Sequence, residues 1–322
     1  MSMRRPNCIF LAAILAVIFL SAFGPARSEA GITSTYLHSL ANFHGKIPYN
    51  DVRIRVDRAH DETYVVDRGI VRIFNDAGME IYWFGDNPEL GAIYDLALDE
   101  KGDIFLLSFD FTDAANPVYS IVHCNYRGDF RGKIGVSSLP AEYSGFFPNY
   151  MFYRNGEFWL LSSARMQVVV ADRNGAFRKG FDLAAILEIP EEERKNKEIF
   201  GFNLDNEGNM LFTVPVLFSA YVVSPKGELA ATFGKRGSAP GMFGLVSGIA
   251  RDEGGKYFVV ERLRSVVMIF DKEFNFLKEF GYRGDKPANL IRPNEVALGN
   301  SGKLYVTQLR SRGVSVFSVA GD

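Results

Sequence analysis

Three short apolar stretches each carry a charge: Arg53 in VRIRVD, Asp95 in YDLALD and Glu295 in NEVALG. Two carboxylates and a guanidinium in such settings admit three kinds of chemistry. They can neutralise one another as an ion cluster, contact a ligand, or divide into a general acid and a general base with separated pKa values. Histidine chemistry has little to build on. His38, His44, His60 and His123 are scattered, and no His-x-Glu-x-x-His or Cys/His metal spacing occurs. Nor is there a Gly-x-Ser-x-Gly elbow, a phosphate-binding loop or a Cys-x-x-Cys-His haem site. No metal and no cofactor are expected. Asp110 and Asp113 in FDFTDAANPV lack the spaced series of oxygen ligands that a calcium loop supplies.

The elements that must position these charges recur along the chain. Each unit is a short apolar strand, a Gly turn, a second strand, a loop, a third strand, another Gly turn and a fourth strand that often ends in Phe-Gly. Residues 246–281 show this best, with VSGIARD, GGKYFVVE, SVVMIFD and FNFLKEFG in succession. First-strand ends at Asp57, Asp99, Arg154, Asp205, Asp252 and Gly299 lie 42, 55, 51, 47 and 47 residues apart. Four alternating strands at that period predict propeller blades. Six units predict an all-β, six-bladed β-propeller with four antiparallel strands per blade, occupying residues 31–322 as one domain. The sixth unit lacks a fourth strand after GVSVFSVAGD, whereas TYLHSLANFHG at 35–45 resembles FLKEFGYRG at 276–284. The N-terminal strand is therefore expected to complete the last blade and remove an open edge.

The units resemble NHL repeats, most sharply in the first, fifth and sixth. The resemblance implies that first strands line a central channel, with residues two apart on one face. The positions that are Gly in the family's pattern fall on Arg53, Asp95, Tyr150, Gly201, Gly248 and Glu295. Those that are Ala fall on Arg55, Ala97, Phe152, Asn203, Ala250 and Ala297. The expected channel cluster is thus Arg53, Arg55, Asp95, Tyr150, Asn203 and Glu295, with Arg53 between Glu295 and Asp95. An arginine in that place should keep both carboxylates ionised, which favours an ion cluster or a ligand contact over acid–base work.

The family commonly binds through the face that carries the second-to-third-strand loops and the interblade loops. Arg68, Arg262, Arg264, Arg310 and Arg312 fall in such loops, with Arg283 and Arg292 between blades. Across the ring come Phe109, Phe111, Phe146, Phe147 and Phe218. Guanidinium groups suit carboxylates or phosphates, and exposed aromatics suit partners. The plain alternative is solvated arginines and core phenylalanines. DLAAILEIPEEERKNKE at 182–198 opens with an Asp cap and a short helical stripe, either an interblade excursion or a lid.

Arg4 and Arg5 precede an apolar run from Cys8 to Phe23, followed by Ser28-Glu29-Ala30. That layout predicts a signal peptide over residues 1–30, too short in its apolar part to remain as a membrane span. Its removal moves the formal charge from −2 to about −4 and leaves Cys124 as the only cysteine, so packing must supply stability. A mildly acidic chain argues against nucleic acid. The expectation is a monomeric, periplasmic or secreted, non-catalytic scaffold for a cell-envelope or extracellular protein, peptide or anionic polymer. The alternative is a propeller lyase or lactonase whose channel holds a metal through residues such as Asn149, Asn203, Asn294 and Glu295; Arg53 in that place argues against it.

Overall fold

The structure is a computed structural model that describes residues 31–49, 51–113 and 117–321. The expected signal segment, 1–30, lies outside the described residues, as do positions 114–116 of the first insertion. Six four-stranded antiparallel sheets follow one another around a ring, each ordered from an inner to an outer strand. Their inner strands are Arg53–Asp57, Ala92–Leu98, Tyr150–Arg154, Gly201–Leu204, Val246–Arg251 and Pro293–Leu298. The described residues hold almost no helix beyond two four-residue pieces, Leu183–Ile186 and Glu191–Arg194.

Position in the blade explains the composition of each strand. Middle strands are covered on both faces by neighbouring blades, so they read as unbroken apolar runs: Thr63–Val66, Ile104–Phe109 and Val266–Phe270 are buried throughout. Outer strands alternate because one face meets solvent, as in Phe130–Ile134. The Phe-Gly endings are a steric device. Phe280 buries its ring beside Phe317, centroids 4.9 Å apart, while Gly281 turns with φ near 110°. A Cβ at Gly281 would lie 2.9 Å from the Ser265 carbonyl oxygen.

The last blade is completed as expected. Thr33–Ser39 lies antiparallel to Val314–Ala320, with Thr33 opposite Ala320 and Ser39 opposite Ser315. Leu40, fully buried, joins Tyr49, Ile54 and Val316 in the core where blade six meets blade one. The 182–198 excursion is also partly helical: Asp182 caps Leu183–Ile186 through Ala185 N at 2.9 Å, and Leu183 and Ala184 pack beneath blades three and four.

Candidate functional site

The expected channel positions come together at the centre, in two different ways. In blades four to six the inner strands touch directly. A Cβ at Gly201 would lie 2.1 Å from the Ser247 carbonyl oxygen, and one at Gly248 would lie 2.8 Å from the Asn294 carbonyl oxygen. In blades one to three, side chains fill the space instead. Arg53 reaches from blade one to blade three, where its guanidinium lies 3.7 Å from the centre of the Tyr150 ring and donates to Asn149 O at 3.3 Å. It also pairs with Glu295 of blade six. One step along the strand, Arg55 lies 4.4 Å from the Phe152 ring centre and donates to Met151 O at 3.3 Å.

Asp95 departs from the expected arrangement. Its carboxylate pairs with Arg55 at 2.5 Å, not with Arg53, and also accepts the Leu96 and Met151 N–H groups, each at 2.8 Å. The register of its strand shifts between Ile93 and Asp95, which turns Tyr94 outward and directs Asp95 toward blade three. Burial pushes the Asp95 carboxyl above its usual range, against the pull of Arg55 and Arg53. Burial likewise opposes the Arg53 charge, but Tyr150, Glu295 and Asp95 outweigh it and hold the guanidinium pKa above its ordinary value. The Tyr150 hydroxyl is pushed up to about 12 by burial and donates to Phe200 O at 2.9 Å. Asp95 is wholly enclosed. What remains of the channel is a cavity of about 230 Å³ lined by Arg55, Phe152, Asn203, Glu295 and their neighbours. Asn203 faces it but is itself tied to Leu204 N and Ile249 O.

The loop face sorts the remaining candidates. Arg264 is neutralised by Glu279 at 2.7 Å and packs beside the buried Glu261, so it holds its loop and is not available to a ligand. Arg312 is half-buried and donates to Gly284 O at 3.4 Å. Arg68, Arg283, Arg292 and Arg310 are exposed. Arg262 is half-buried 5.7 Å from the Phe200 ring centre, its pKa lowered by burial and by the nearby Arg292. The aromatic set divides too. Phe109 and Phe146 are buried, the ordinary fate of loop-proximal phenylalanines, and Phe218 is half-buried beneath Arg236. Phe111 and Phe147 are exposed around Phe109, with ring centroids 6.0 and 4.6 Å from it.

Sequence reasoning missed Tyr94, which is exposed and stacks edge-on against Phe109 at 4.5 Å. No pattern announces it, because only the strand irregularity beside Asp95 turns it outward. Tyr94 and Arg68 border a groove of about 730 Å³ that reaches Arg53, Asp51 and Asn149 at the channel mouth. Asp110 is occupied locally, accepting Thr112 N at 2.8 Å. Among the described residues no group of three or more His, Cys, Asp or Glu side chains could hold a metal ion.

No family model matches this chain. It is 33% identical over 100 residues to Protein brain tumor of Drosophila melanogaster, a match spanning 29% of this chain and 10% of that protein. The fold is widely shared. An auxiliary nutrient binding protein from Bacteroides ovatus superposes with a TM-score of 0.59 at 12% identity, over 90% of this chain and 77% of its own. Virginiamycin B lyase from Staphylococcus aureus superposes with a TM-score of 0.55 at 12% identity, over 87% of each chain. At such identities the likeness is one of fold alone.

Proposed function

We propose that this chain is an exported, non-catalytic binding propeller of the NHL type, which holds a protein or peptide partner of the cell envelope or exterior on its loop face. The observation that carries the reading is the aromatic patch of Tyr94, Phe111 and Phe147 beside the groove that leads to Arg68 and Arg53. Half-exposed aromatic rings on a rigid base present large contact area at small entropic cost. Exposed guanidinium groups alongside them suit carboxylates of a polypeptide, or of an anionic polymer. The nutrient-binding neighbour uses the same fold, which makes a ligand-holding role a natural one.

The lyase reading drawn from the Staphylococcus aureus neighbour has less support. Arg53 and Arg55 project two guanidinium groups into the channel, a poor setting for a metal cation, and Asn203 is already hydrogen-bonded.

Affinity capture from the cell envelope tests the proposal with two variants, Tyr94→Ser/Phe147→Ser and Arg68→Ala/Arg292→Ala. The aromatic pair should abolish capture of the wild-type partner and the arginine pair should weaken it, with unchanged melting temperatures. Undiminished capture by both would remove the loop face from consideration. One equivalent of calcium or zinc in the purified protein would favour the lyase reading instead.

A further inference from the structure

Among the described residues, six arginines bury an Nε–H that has no hydrogen-bond partner. Five of them compensate through a terminal nitrogen. Arg55, Arg72, Arg251 and Arg264 donate to Asp95, Glu80, Asp205 and Glu279, and Arg312 donates to Gly284 O. Arg262 has no such bond. Its guanidinium meets no acceptor and no ion-pair carboxylate among the described residues, only the Phe200 ring, 5.7 Å from its centre. A half-buried cation held in this way gives up hydration and recovers nothing for it.

The neighbours of Arg262 sharpen the deficit. Arg292 repels it, whereas Asp51 and Tyr150 at the channel mouth favour its charge. Tyr150 keeps its proton, because burial pushes its hydroxyl up to about 12. Asp51 is therefore the one anion acting on it, and its Oδ1 already accepts from Asn294 Nδ2 at 3.0 Å. The Arg292 side chain is exposed and also lacks a carboxylate partner, yet its base is fixed. Its N–H donates to Ser265 Oγ at 3.2 Å and its O accepts from Leu309 N at 3.1 Å. Two guanidinium groups against one carboxylate leave a single positive charge unmatched. Asp51 also lines the groove of about 730 Å³ that runs to Tyr94.

Resting on the loop-face reading, we propose that Arg262 and Arg292 together seat one carboxylate of the polypeptide partner, whose neighbouring residues lie along the groove toward Tyr94. A guanidinium fork takes a carboxylate through two parallel N–H···O bonds, which supplies the acceptor that Arg262 lacks. One unmatched positive charge fits this monoanion better than a phosphate dianion. The carboxylate has two sources, a chain end or an Asp or Glu side chain, and the probes below separate them.

Nε–Hε spectra of protein isotope-labelled at arginine test the site with three peptides: acetyl-Gly-Gly-Phe with a free terminus, acetyl-Gly-Glu-Phe amide and acetyl-Gly-Gly-Phe amide. At least one of the two acids should shift the Arg262 signal with Kd on the order of 1 mM, and the neutral amide should not. The tighter acid identifies the source. Arg262→Gln, which also assigns the signal, should weaken the effect on Arg292 roughly tenfold. Without ligand the same variant should melt about 2 °C above the wild type, since it removes an uncompensated charge, whereas Arg264→Gln should melt below it. The proposal is overturned by a neutral amide that acts like the acids, by no shift with either acid at about 10 mM, or by inorganic phosphate binding more tightly than both. An Arg262→Gln that melts below the wild type overturns it as well, because the arginine then serves the fold. Envelope capture that survives Arg262→Gln but not Tyr94→Ser/Phe147→Ser would remove this site and leave the loop-face reading in place.

Discussion

Blades four to six and blades one to three close the same channel by opposite means. The first group deletes side chains, so that Gly201 and Gly248 let one backbone rest against the next. The second inserts the longest cations available, and Arg53 and Arg55 span from blade one to blade three over the faces of Tyr150 and Phe152. The glycine half gains close contact and loses backbone entropy to obtain it. The arginine half must desolvate charge, and it is stable only while Glu295 and Asp95 neutralise that charge. One half therefore tolerates no added atom, and the other tolerates no removed partner.

The sharpest way to break the comparison is at the seam where the two halves meet, between blades six and one. Deleting residues 31–45 removes the closing strand and Leu40 together, and cooperative unfolding should disappear from calorimetry; an unchanged melting temperature would refute the closing role. Next comes the arginine half. Arg53→Met strands Glu295 without its partner and should cost about 3–5 kcal/mol in denaturant unfolding. Arg53→Met/Glu295→Gln should recover most of that loss if the cluster serves stability alone. In the glycine half, Gly201→Ala should cost about 2–3 kcal/mol, since the added methyl meets a backbone carbonyl that cannot move aside cheaply. Equal losses for Gly201→Ala and Ala97→Gly, a change in the other half that adds no atom, would show that steric closure is not the cause.

The smallest effect concerns acid. His38, on the closing strand, is half-buried against Gly78, and burial lowers its pKa below the ordinary 6.5. A histidine whose folded pKa is depressed favours the folded state fully above its unfolded pKa, and that advantage is lost as pH falls toward the folded value. Stability measured from pH 7.5 down to 5.5 should thus decline more in the wild type than in His38→Gln. Parallel curves would remove His38 as the cause.

Much of this was legible from the sequence. Blade count, strand order and the closing strand follow from the repeated alternation, and the inward-facing positions follow from the resemblance to NHL repeats together with strand parity. The contacts those side chains make do not. Asp95 turns to Arg55 because its strand is irregular beside Tyr94, and no local pattern marks that irregularity. Phe109 lies in the strand Ile104–Asp110 and Phe111 just after it, yet the first is buried and the second exposed, because tertiary cover rather than residue type decides. Arg264 looked like its neighbour Arg262 until Glu279, from another strand, proved to lie within reach.

The pairing of Thr33 with Ala320 carries a consequence for how the molecule is made. The first described strand waits for the last one, so the ring cannot shut until Val314–Ala320 has been made. Until Val314–Ala320 is in place, Thr33–Ser39 lacks its strand partner and the ring stays open between blades six and one. Contacts of such long sequence separation form slowly.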